Sequence, residues 1–562
     1  MYAELARVRA ELCAEGQAFE LEHIEINGIK VRAWKNAAAN LRDFWLSTAG
    51  HGDATYLVYR DERWTYAESH EQVSRIARWL TDNGVKPGDR VAIAMRNYPE
   101  WLLSYWAIVS VGAVAVGVNA WWVPEELAYG FNDSAPVVLI CDRERLQRYK
   151  EIRNTCPPMT VVGVRCDDIL TEDEVPWSVV LQSAADMPHV DIDTDTDACV
   201  FYTSGTTGRP KGAQLTHRGC TNNIMSSLFG NLSQIQALSS MEGKEFGTGG
   251  NQSVLLTTPL FHVTANNVIA HTNSMLGGKL VFMYKWDAGE ALKLVEREQI
   301  TALSGVPVMS RELLSHPDFD STDTSSLKSL GGGGAPVHPD LVEKIGSKAK
   351  VAPAQGFGMT ETCGLATGAF GPYLQDRPGS VGPAMPVFEI RIVDTDDQDV
   401  PCGERGEVLL RSAQIISGYL NRPEATAETI VNGWLHTGDI GYLDEDDFLY
   451  IVDRAKDMVL RGGENIASGE VESVLYRYPG VTEAAVFSVP DEAMGEEVGV
   501  AIHLSEDATV SAEELREFSR AHLAAYKIPR YIWFLDDPLP RNASGKFLKK
   551  DLQARLQLNT AA

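Results

Sequence analysis

Residues 202–212, YTSGTTGRPKG, combine the side chains and the flexible backbone that phosphate binding requires. The segment holds four aliphatic hydroxyls, three glycines and Lys211. Backbone N–H groups and hydroxyls can surround a phosphate from several sides, and glycine lets the chain approach it closely. The Walker pattern does not fit, because Pro210 stands at its second glycine and Gly212 follows Lys211. The segment therefore predicts a phosphate-binding loop of a different kind.

Six further motifs follow this loop along the chain. They are PLFHV at 259–263, GGGGAP at 331–336, QGFGMTET at 355–362, GWLHTGD at 433–439, VDRAKDMVLRGGENI at 452–466 and PRNASGK at 540–546. At these motifs, and in this order, the chain resembles the acyl-adenylating superfamily of acyl-CoA synthetases, adenylation domains and firefly luciferase. The resemblance spans residues 40–555. It implies a large N-terminal α/β domain of sheets and helices and a small, mobile α+β C-terminal domain.

The resemblance also implies a reaction in two halves. A substrate carboxylate attacks the α-phosphate of ATP and expels pyrophosphate, and the thiol of coenzyme A then displaces AMP to give a thioester. ATP, Mg²⁺, coenzyme A and a small-molecule carboxylic acid are therefore the expected ligands. Catalysis in such a reaction depends on positioning and charge neutralisation, so no protein nucleophile is required.

The residues around the phosphates take their roles from the same resemblance. The pyrophosphate positions are occupied by Thr203, Ser204, Gly205, Thr206, Thr207, Gly208 and Lys211. Glu361 matches the magnesium-binding acid, with Thr207 as a second metal contact and Thr360 beside it at the α-phosphate. A hard cation that bridges phosphate oxygens keeps most of its waters, so a single protein carboxylate is sufficient.

The nucleoside is expected between two glycine-rich segments. Phe357 stands where the family often has tyrosine, and it would stack on adenine through its ring face. The other residues expected to bind ATP here are Gly356, Gly358, Met359, Gly334, Ala335 and Pro336. Asp439 matches the ribose-binding aspartate, and Arg454 matches a second nucleotide contact.

Positions near the C-terminus are expected to serve the two halves of the reaction in turn. Lys546 resembles the catalytic lysine that stabilises charge at the α-phosphate during adenylation. Lys456 falls on the family's hinge, which predicts an adenylation core over residues 1–453 and a mobile domain over residues 454–562. The loop that would face coenzyme A after rotation contains Gly462 and Gly463.

The acyl pocket is inferred from the resemblance to contain His262, Val263, Gly333 and Cys363. The segments around it are small or apolar and offer no evident cation for a second carboxylate, so an apolar acid is expected. A medium- or long-chain fatty acid is the main interpretation, and an aryl acid such as a cinnamate is the alternative. His262 is either a structural histidine or a gate that admits the acyl group or the thiol.

The acyl acceptor stays open at this point. No carrier domain follows Lys546, which favours a free-standing CoA ligase over a peptide-synthetase module. Two other classes stay open: an AMP ligase that loads a carrier protein, and a catalytically inactive binding protein. The presence of Lys546, Glu361 and Asp439 disfavours the inactive class.

The elements that must position these residues have an α/β pattern. Strand patterns at 90–95, 137–141, 198–205, 253–261 and 279–283 alternate with helical patterns at 66–84 and 288–301. The uncharged run at 106–123 is as long as a membrane span. Its glycines and valines favour a buried helix from Pro99, a turn at Gly112 and then a buried parallel strand.

Composition narrows the partners and the compartment. A chain of 562 residues exceeds one hydrophobic core, which predicts two or three domains. The net charge of −27 argues against nucleic acid as a partner. Eight cysteines without a C-x-x-C pair favour a reducing cytoplasm over a zinc site or a disulfide framework. Neither a signal peptide nor a transmembrane segment is expected, and a homodimer stays open.

Overall fold

A computed structural model describes residues 1–203, 209–243, 252–333, 337–462, 464–505, 507–542 and 545–557. Its strands are β1 (Leu21–Ile26), β2 (Ile29–Trp34), β3 (Thr55–Tyr59), β4 (Glu62–Thr65), β5 (Arg90–Ala94), β6 (Val114–Gly117), β7 (Val138–Asp142), β8 (Thr160–Val164), β9 (Val175–Pro176), β10 (Asp197–Thr203), β11 (Lys211–Thr216), β12 (Ser253–Leu256), β13 (Lys279–Phe282), β14 (Ala302–Gly305), β15 (Ser329–Gly333), β16 (Ala352–Met359), β17 (Gly364–Phe370), β18 (Gly382–Pro383), β19 (Glu389–Val393), β20 (Gly406–Arg411), β21 (Gly418–Tyr419), β22 (Ile430–Val431), β23 (Trp434–Leu443), β24 (Phe448–Arg454), β25 (Val459–Arg461), β26 (Glu464–Ile466), β27 (Val481–Asp491), β28 (Gly495–Leu504) and β29 (Tyr531–Phe534).

The helices lie between these strands. They are α1 (Tyr2–Leu12), α2 (Leu41–Ser47), α3 (Tyr66–Asp82), α4 (Pro99–Ser110), α5 (Pro124–Ser134), α6 (Arg143–Ile152), α7 (Trp177–Val180), α8 (His217–Glu242), α9 (Thr272–Met275), α10 (Ala288–Glu298), α11 (Pro307–Ser315), α12 (Pro339–Lys344), α13 (Pro372–Asp376), α14 (Pro423–Thr429), α15 (Ser468–Leu475), α16 (Ala512–Arg520) and α17 (Lys549–Gln557). A π-helix, Thr264–His271, precedes α9.

Two eight-stranded sheets build the body of the described structure. Their strand orders are β21-β11-β10-β6-β5-β7-β8-β9 and β17-β16-β15-β14-β12-β13-β3-β4. Neighbouring strands are mostly parallel, as the α/β pattern predicts, but antiparallel pairs occur at one end of the first sheet, through β11 and β21, and at both ends of the second, through β17 and β4. Helices cover the parallel strands, whose side chains are buried along nearly their whole length.

Two smaller sheets follow toward the C-terminus. One has the order β18-β24-β23-β20-β19, with β22 on β23, and the other has β26-β25-β28-β27, with β29 on β28. The second of these sheets packs with α15, α16 and α17 around a core of its own. Lys456 lies in the turn between β24 and β25, which joins the two sheets. The domain boundary at residue 454 and the hinge stay predictions.

The uncharged run at 106–123 has the structure that the sequence predicts. Helix α4 starts with Pro99 at its first turn, Gly112 turns with a φ of +71°, and β6 continues as a buried parallel strand. Among the described residues, no helix is long and apolar enough to span a membrane.

Two predicted elements are shorter than expected. Strand β12 ends at Leu256 rather than 261, because Pro259 has no N–H to donate and the chain turns there into the site. Helix α10 ends at Glu298 because Gln299 adopts the left-handed conformation, with a φ of 50°. The glycine run of residues 331–333 is not a loop but the end of β15, which pairs with β14 and β16.

Candidate active site

The phosphate-binding segment connects two antiparallel strands. Thr203 ends β10, Lys211 begins β11, and the two residues are cross-strand partners. The two ends of the connection therefore lie side by side at one end of this strand pair. The other residues predicted to hold pyrophosphate, Ser204, Gly205, Thr206, Thr207 and Gly208, lie outside the described residues. So do Gly334, Ala335, Pro336 and Gly463 from the other predicted motifs.

The cation and the carboxylate predicted beside the phosphates meet across one tyrosine. The Nζ atom of Lys211 lies 4.1 Å from the ring centroid of Tyr419. The hydroxyl of Tyr419 donates a hydrogen bond of 2.7 Å to Oε1 of Glu361. Glu361 is only 7% exposed and lies in the 3₁₀ turn Thr360–Thr362 between β16 and β17, with Thr360 at its start. A buried carboxylate beside a phosphate loop suits Mg²⁺, which prefers oxygen ligands and would share phosphate oxygens here.

The predicted adenine segment forms the end of strand β16. Gly356, Phe357, Gly358 and Met359 pair with β17, and the register shifts between Phe357 and Gly358. A Cβ atom at Gly358 would lie 1.9 Å from the carbonyl oxygen of Gly364, so only glycine permits this close approach. The half-buried ring of Phe357 packs on the cluster that contains Ala366. Its stacking on adenine stays a prediction.

Asp439 and Arg454 are cross-strand partners on β23 and β24. The Nε atom of Arg454 lies 2.7 Å from Oδ1 of Asp439, which is only 3% exposed. Within the described residues, Oδ2 of Asp439 is buried without a hydrogen-bond partner. Burial raises the pKa of this carboxyl, whereas the charges of Arg454 and Lys546 lower it. An unpartnered buried carboxylate oxygen is an acceptor that ribose hydroxyls would satisfy.

Lys546 reaches the same region from the C-terminal segment. Its ammonium lies close enough to Asp439 and Glu361 for their charges to interact. It also lowers the pKa of His262. The Lys546 side chain is exposed to solvent, so the surrounding protein desolvates the ammonium only in part. Desolvation, and next the charge of Arg454, lower the pKa of the Lys546 ammonium to about 8, against the attraction of Asp439 and Glu361.

His262 stands at the turn before the π-helix Thr264–His271. Burial, and next the charge of Lys546, lower the pKa of His262 to about 4, so its imidazole is neutral at pH 7. Val263 is buried in the main core at the start of this helix. π-Helical turns are rare and occur often at functional sites.

The remaining predicted residues are distributed as follows. Gly333 pairs with Gly356 across β15 and β16, at the side of the adenine segment. Cys363 is fully buried against the N-terminal end of α8, where a Cβ atom at Gly219 would lie 2.6 Å from its sulfur. Its place in an acyl pocket stays a prediction. Gly462, with a φ of +56°, follows β25 and donates its N–H to the carbonyl oxygen of Met494, at 2.8 Å.

Three positioning side chains were not found from the sequence. Asn97 holds the turn before His262, because its Nδ2 donates to the Thr258 carbonyl oxygen at 2.9 Å and its Oδ1 accepts from the Leu260 N–H at 3.0 Å. Tyr129 donates to the carbonyl oxygen of Pro210 at 2.7 Å. Tyr419 is the third. They stand in a turn, a helix and a short strand, each far along the chain from its partner, so no local pattern marks them.

The lowered pKa of Lys546 makes a prediction about pH. The rate of adenylation should fall as pH rises through about 8, because the catalytic ammonium loses its proton there. Lys546→Arg keeps a cation at every working pH, so this variant should lose the alkaline fall even if its rate is lower. ATP–pyrophosphate exchange measured across neutral and alkaline pH tests this, and an identical alkaline limb in the variant would assign the fall to another group.

Comparison with known proteins places the chain in a family. Residues 44–420 match the AMP-binding enzyme family, and residues 470–546 match the AMP-binding enzyme C-terminal domain. A feruloyl-CoA synthase from Amycolatopsis sp is 35% identical over 503 residues, which are 89% of this chain and 96% of that protein. The long-chain-fatty-acid–CoA ligase FadD13 from Mycobacterium tuberculosis is 33% identical over 494 residues, 88% of this chain and 93% of that protein. The crystal structure of the anthranilate CoA ligase AuaEII with anthranoyl-AMP superposes with a TM-score of 0.84 at 25% identity, covering 93% of this chain and 98% of that one.

The fold and the site thus define an adenylate-forming ligase, and the chain belongs to the AMP-binding enzyme family. It is an AMP-forming acid:CoA ligase, a class whose enzymes use ATP, Mg²⁺ and coenzyme A. The predicted family and fold class are confirmed. The particular acid, the homodimer and the cytoplasmic location stay predictions.

Proposed function

We propose that this ligase activates an apolar aryl acid of the cinnamate type, and that the site residues named above carry the two half-reactions. The observation that supports the chemistry most is that Lys546, Glu361, Asp439 and Arg454, from three separate parts of the chain, lie close enough for their charges to interact. Lys546 and Lys211 supply positive charge there, and Asp439 supplies a free acceptor.

In the first half-reaction each group has a separate task. Lys211, next to the phosphate loop, neutralises charge on the leaving pyrophosphate, and Asp439 accepts hydrogen bonds from the ribose. Lys546 attracts both the substrate carboxylate and the α-phosphate, which brings two anions together and stabilises the charge that develops between them. Mg²⁺, held by Glu361 and Thr207, would supply further neutralisation of the phosphates. His262 is uncharged at pH 7, so it adds no charge beside the acid.

In the second half-reaction the C-terminal segment rotates about Lys456. Rotation removes Lys546 from the cleft and brings the loop at Gly462 and Gly463 toward it, which opens a path for the thiol of coenzyme A. The turn at Lys456 supports this proposal, because it is the connection between the last two sheets. CoA is the preferred acceptor over a carrier protein, since the feruloyl and fatty-acid relatives are both CoA enzymes by name.

The wall behind His262 supports an aryl acid. The last residue of Thr264–His271 packs against two aromatic rings, with the His271 ring 4.8 Å from Trp106 and 5.3 Å from Tyr105 between centroids. These side chains are fully buried. A long alkyl chain in this direction would have to displace the rings, whereas a flat aryl acid ends before them. The feruloyl-CoA synthase and the anthranilate CoA ligase are in keeping with this choice.

The main interpretation from the sequence, a medium- or long-chain fatty acid, is the second candidate. The similarity to FadD13 favours it. A fatty acyl chain would have to extend past the rings around His271, whereas an aryl group would end before them. The two candidates therefore differ in which acids support adenylation.

A screen of acids decides between them. We expect ATP–pyrophosphate exchange with hydroxycinnamic acids to show a kcat/KM at least about tenfold above that with octanoate or palmitate, because a filled wall excludes the longer chain. Thioester detection with CoA, compared with a phosphopantetheine-bearing carrier protein, identifies the acceptor. Higher kcat/KM for palmitate would reject the aryl assignment and support the fatty-acid candidate.

A further inference from the structure

Tyr419 occupies a place between the two phosphate-side motifs that neither motif explains. It lies on the edge strand β21, where it is the cross-strand partner of Ala213 on β11. Side chains two residues apart on a strand point to the same face, so Lys211 and Ala213 share a face. Tyr419, opposite Ala213, is therefore a diagonal neighbour of Lys211.

Two contacts engage the two ends of the tyrosine side chain. The ring lies under the ammonium of Lys211, with Nζ 4.1 Å from the centroid, and the hydroxyl donates to Oε1 of Glu361 at 2.7 Å. Among the residues that the structure describes, Tyr419 is the one hydrogen-bond donor to the Glu361 side chain. The tyrosine is only 5% exposed, so both contacts are shielded from water.

We propose that Tyr419 is a positioning residue that couples the pyrophosphate-side cation Lys211 to the metal-side carboxylate of Glu361. The proposal rests on the roles given to Lys211 and Glu361 under Proposed function.

The chemistry of a phenol suits both tasks. Its O–H binds one carboxylate oxygen and fixes the plane of the carboxylate, which leaves the second oxygen to face a hard cation. Its ring attracts an ammonium through the negative face, which keeps Lys211 directed toward the phosphate loop. Phenylalanine could perform only the second task, and an aliphatic side chain neither.

Backbone hydrogen bonds make this link firm. The Ile416 N–H donates to the carbonyl oxygen of Glu361 at 3.1 Å, and the Leu420 N–H donates to that of Gly212 at 2.8 Å. The segment that carries Tyr419 is thus bound on one side to the metal turn and on the other to the strand that begins with Lys211. A displacement of either partner is transmitted to the other through this segment.

ATP binding without any acid tests the inference, because no turnover occurs. Calorimetry would give the ATP affinity with EDTA and as a function of Mg²⁺. Tyr419→Phe should leave the ATP affinity in EDTA nearly unchanged. It should raise by about tenfold the Mg²⁺ concentration at which the metal has half of its full effect on ATP affinity, since a hydrogen bond to a charged group is lost. Tyr419→Leu should in addition weaken binding in EDTA by about threefold, since the cation–π contact is lost.

A double-mutant cycle shows whether Tyr419 acts through Glu361. In a Glu361→Ala background, Tyr419→Phe should have no further effect on the Mg²⁺ dependence, because the acceptor of its hydrogen bond is gone. Tyr442→Phe is the matched control, since Tyr442 stacks on Tyr450 in another sheet, at 4.7 Å between ring centroids. It should bind MgATP as the unchanged protein does.

The outcomes distinguish a failure of the proposed function from a failure of the coupling role of Tyr419. If the unchanged protein does not bind MgATP, the proposed function itself fails. If it does bind, and Tyr419→Phe shows the same Mg²⁺ dependence, or loses affinity equally with EDTA and with Mg²⁺, the coupling role is wrong. A Tyr419→Phe effect that persists in the Glu361→Ala background would also overturn it. Thermal unfolding of each variant separates a binding defect from a folding defect.

Discussion

Lys546→Ala is expected to lower ATP–pyrophosphate exchange by about 10²- to 10³-fold, the scale seen when one group that stabilises transition-state charge is removed. The second half-reaction, started from a supplied acyl-adenylate and CoA, should change far less. The reason is that two anions must approach in adenylation, whereas the attacking thiol meets an already activated, mixed anhydride. Lys546 is then the group with the largest single effect in this chain.

Local hydrogen bonds and close packing fix the backbone that carries Lys546. Its N–H donates to Oδ1 of Asn542 at 3.0 Å, and the Asn542 N–H donates back to its carbonyl oxygen at 2.8 Å. Gly545, at a φ of +82°, fits closely on Val306, where a Cβ atom would lie 2.6 Å from Cγ2. This turn directs one side chain into the cleft.

Lys550→Ala is the matched control for this experiment. Lys550 is an exposed lysine four residues further along the chain, and its variant should keep both half-reactions. Equal loss of both halves in Lys546→Ala would contradict the role given to that lysine. A loss of the same size in Lys550→Ala would show that the segment tolerates no loss of charge, and the specific assignment would then be wrong.

Lys456→Pro is expected to impair the second half-reaction rather than the first, the reverse of Lys546→Ala. It should lower thioester formation from a supplied acyl-adenylate by about 10²-fold, the cost of a small misplacement of reacting groups, and leave exchange little changed. Proline fixes its own φ near −65° and restricts the residue before it. A hinge that must change its backbone angles would therefore be held in one state.

The local hydrogen bonds make this substitution informative. The turn is closed by the N–H groups of Asp457 and Met458, which donate to the carbonyl oxygen of Arg454 at 2.9 and 3.2 Å. No backbone hydrogen bond from the Lys456 N–H occurs within the described residues. Proline there removes no hydrogen-bond donor of this turn, although it disfavours the α conformation of Ala455. Unchanged exchange in the variant would show that the turn still forms, and a selective loss of the second half-reaction would then reflect restricted motion.

A proline in another exposed turn is the control for Lys456→Pro. Glu445 follows Asp444 in the turn between β23 and β24, where the Asp447 N–H donates to the Asp444 carbonyl oxygen at 3.1 Å. Glu445→Pro occupies a position that turns favour for proline and should leave both halves intact. If Lys456→Pro lowers exchange as much as thioester formation, the hinge assignment is wrong.

Much of the fold was predictable from residue patterns. The alternation of strands and helices, the buried run at 106–123 and its turn at Gly112 follow from hydrophobic periodicity and from the places of glycine and proline. The end of β12 was missed because an apolar run continues through Pro259, and periodicity alone does not show where pairing stops. The glycine run at 331–333 ends a strand because it pairs on both sides, and its glycine content alone does not indicate a strand.

The sequence, through its resemblance to the acyl-adenylating superfamily, predicted the chemistry: the hydroxyls and Lys211 for a phosphate, Glu361 for a hard cation, Asp439 for a ribose and Lys546 for charge at the reacting phosphate. Their side-chain types and order along the chain carry that information. Only the tertiary structure decided which other side chains hold them in place. Tyr419 reaches Lys211 and Glu361 because β21 pairs with β11 across more than two hundred residues. Strand pairing between distant segments depends on packing of the whole sheet, and no local pattern records it.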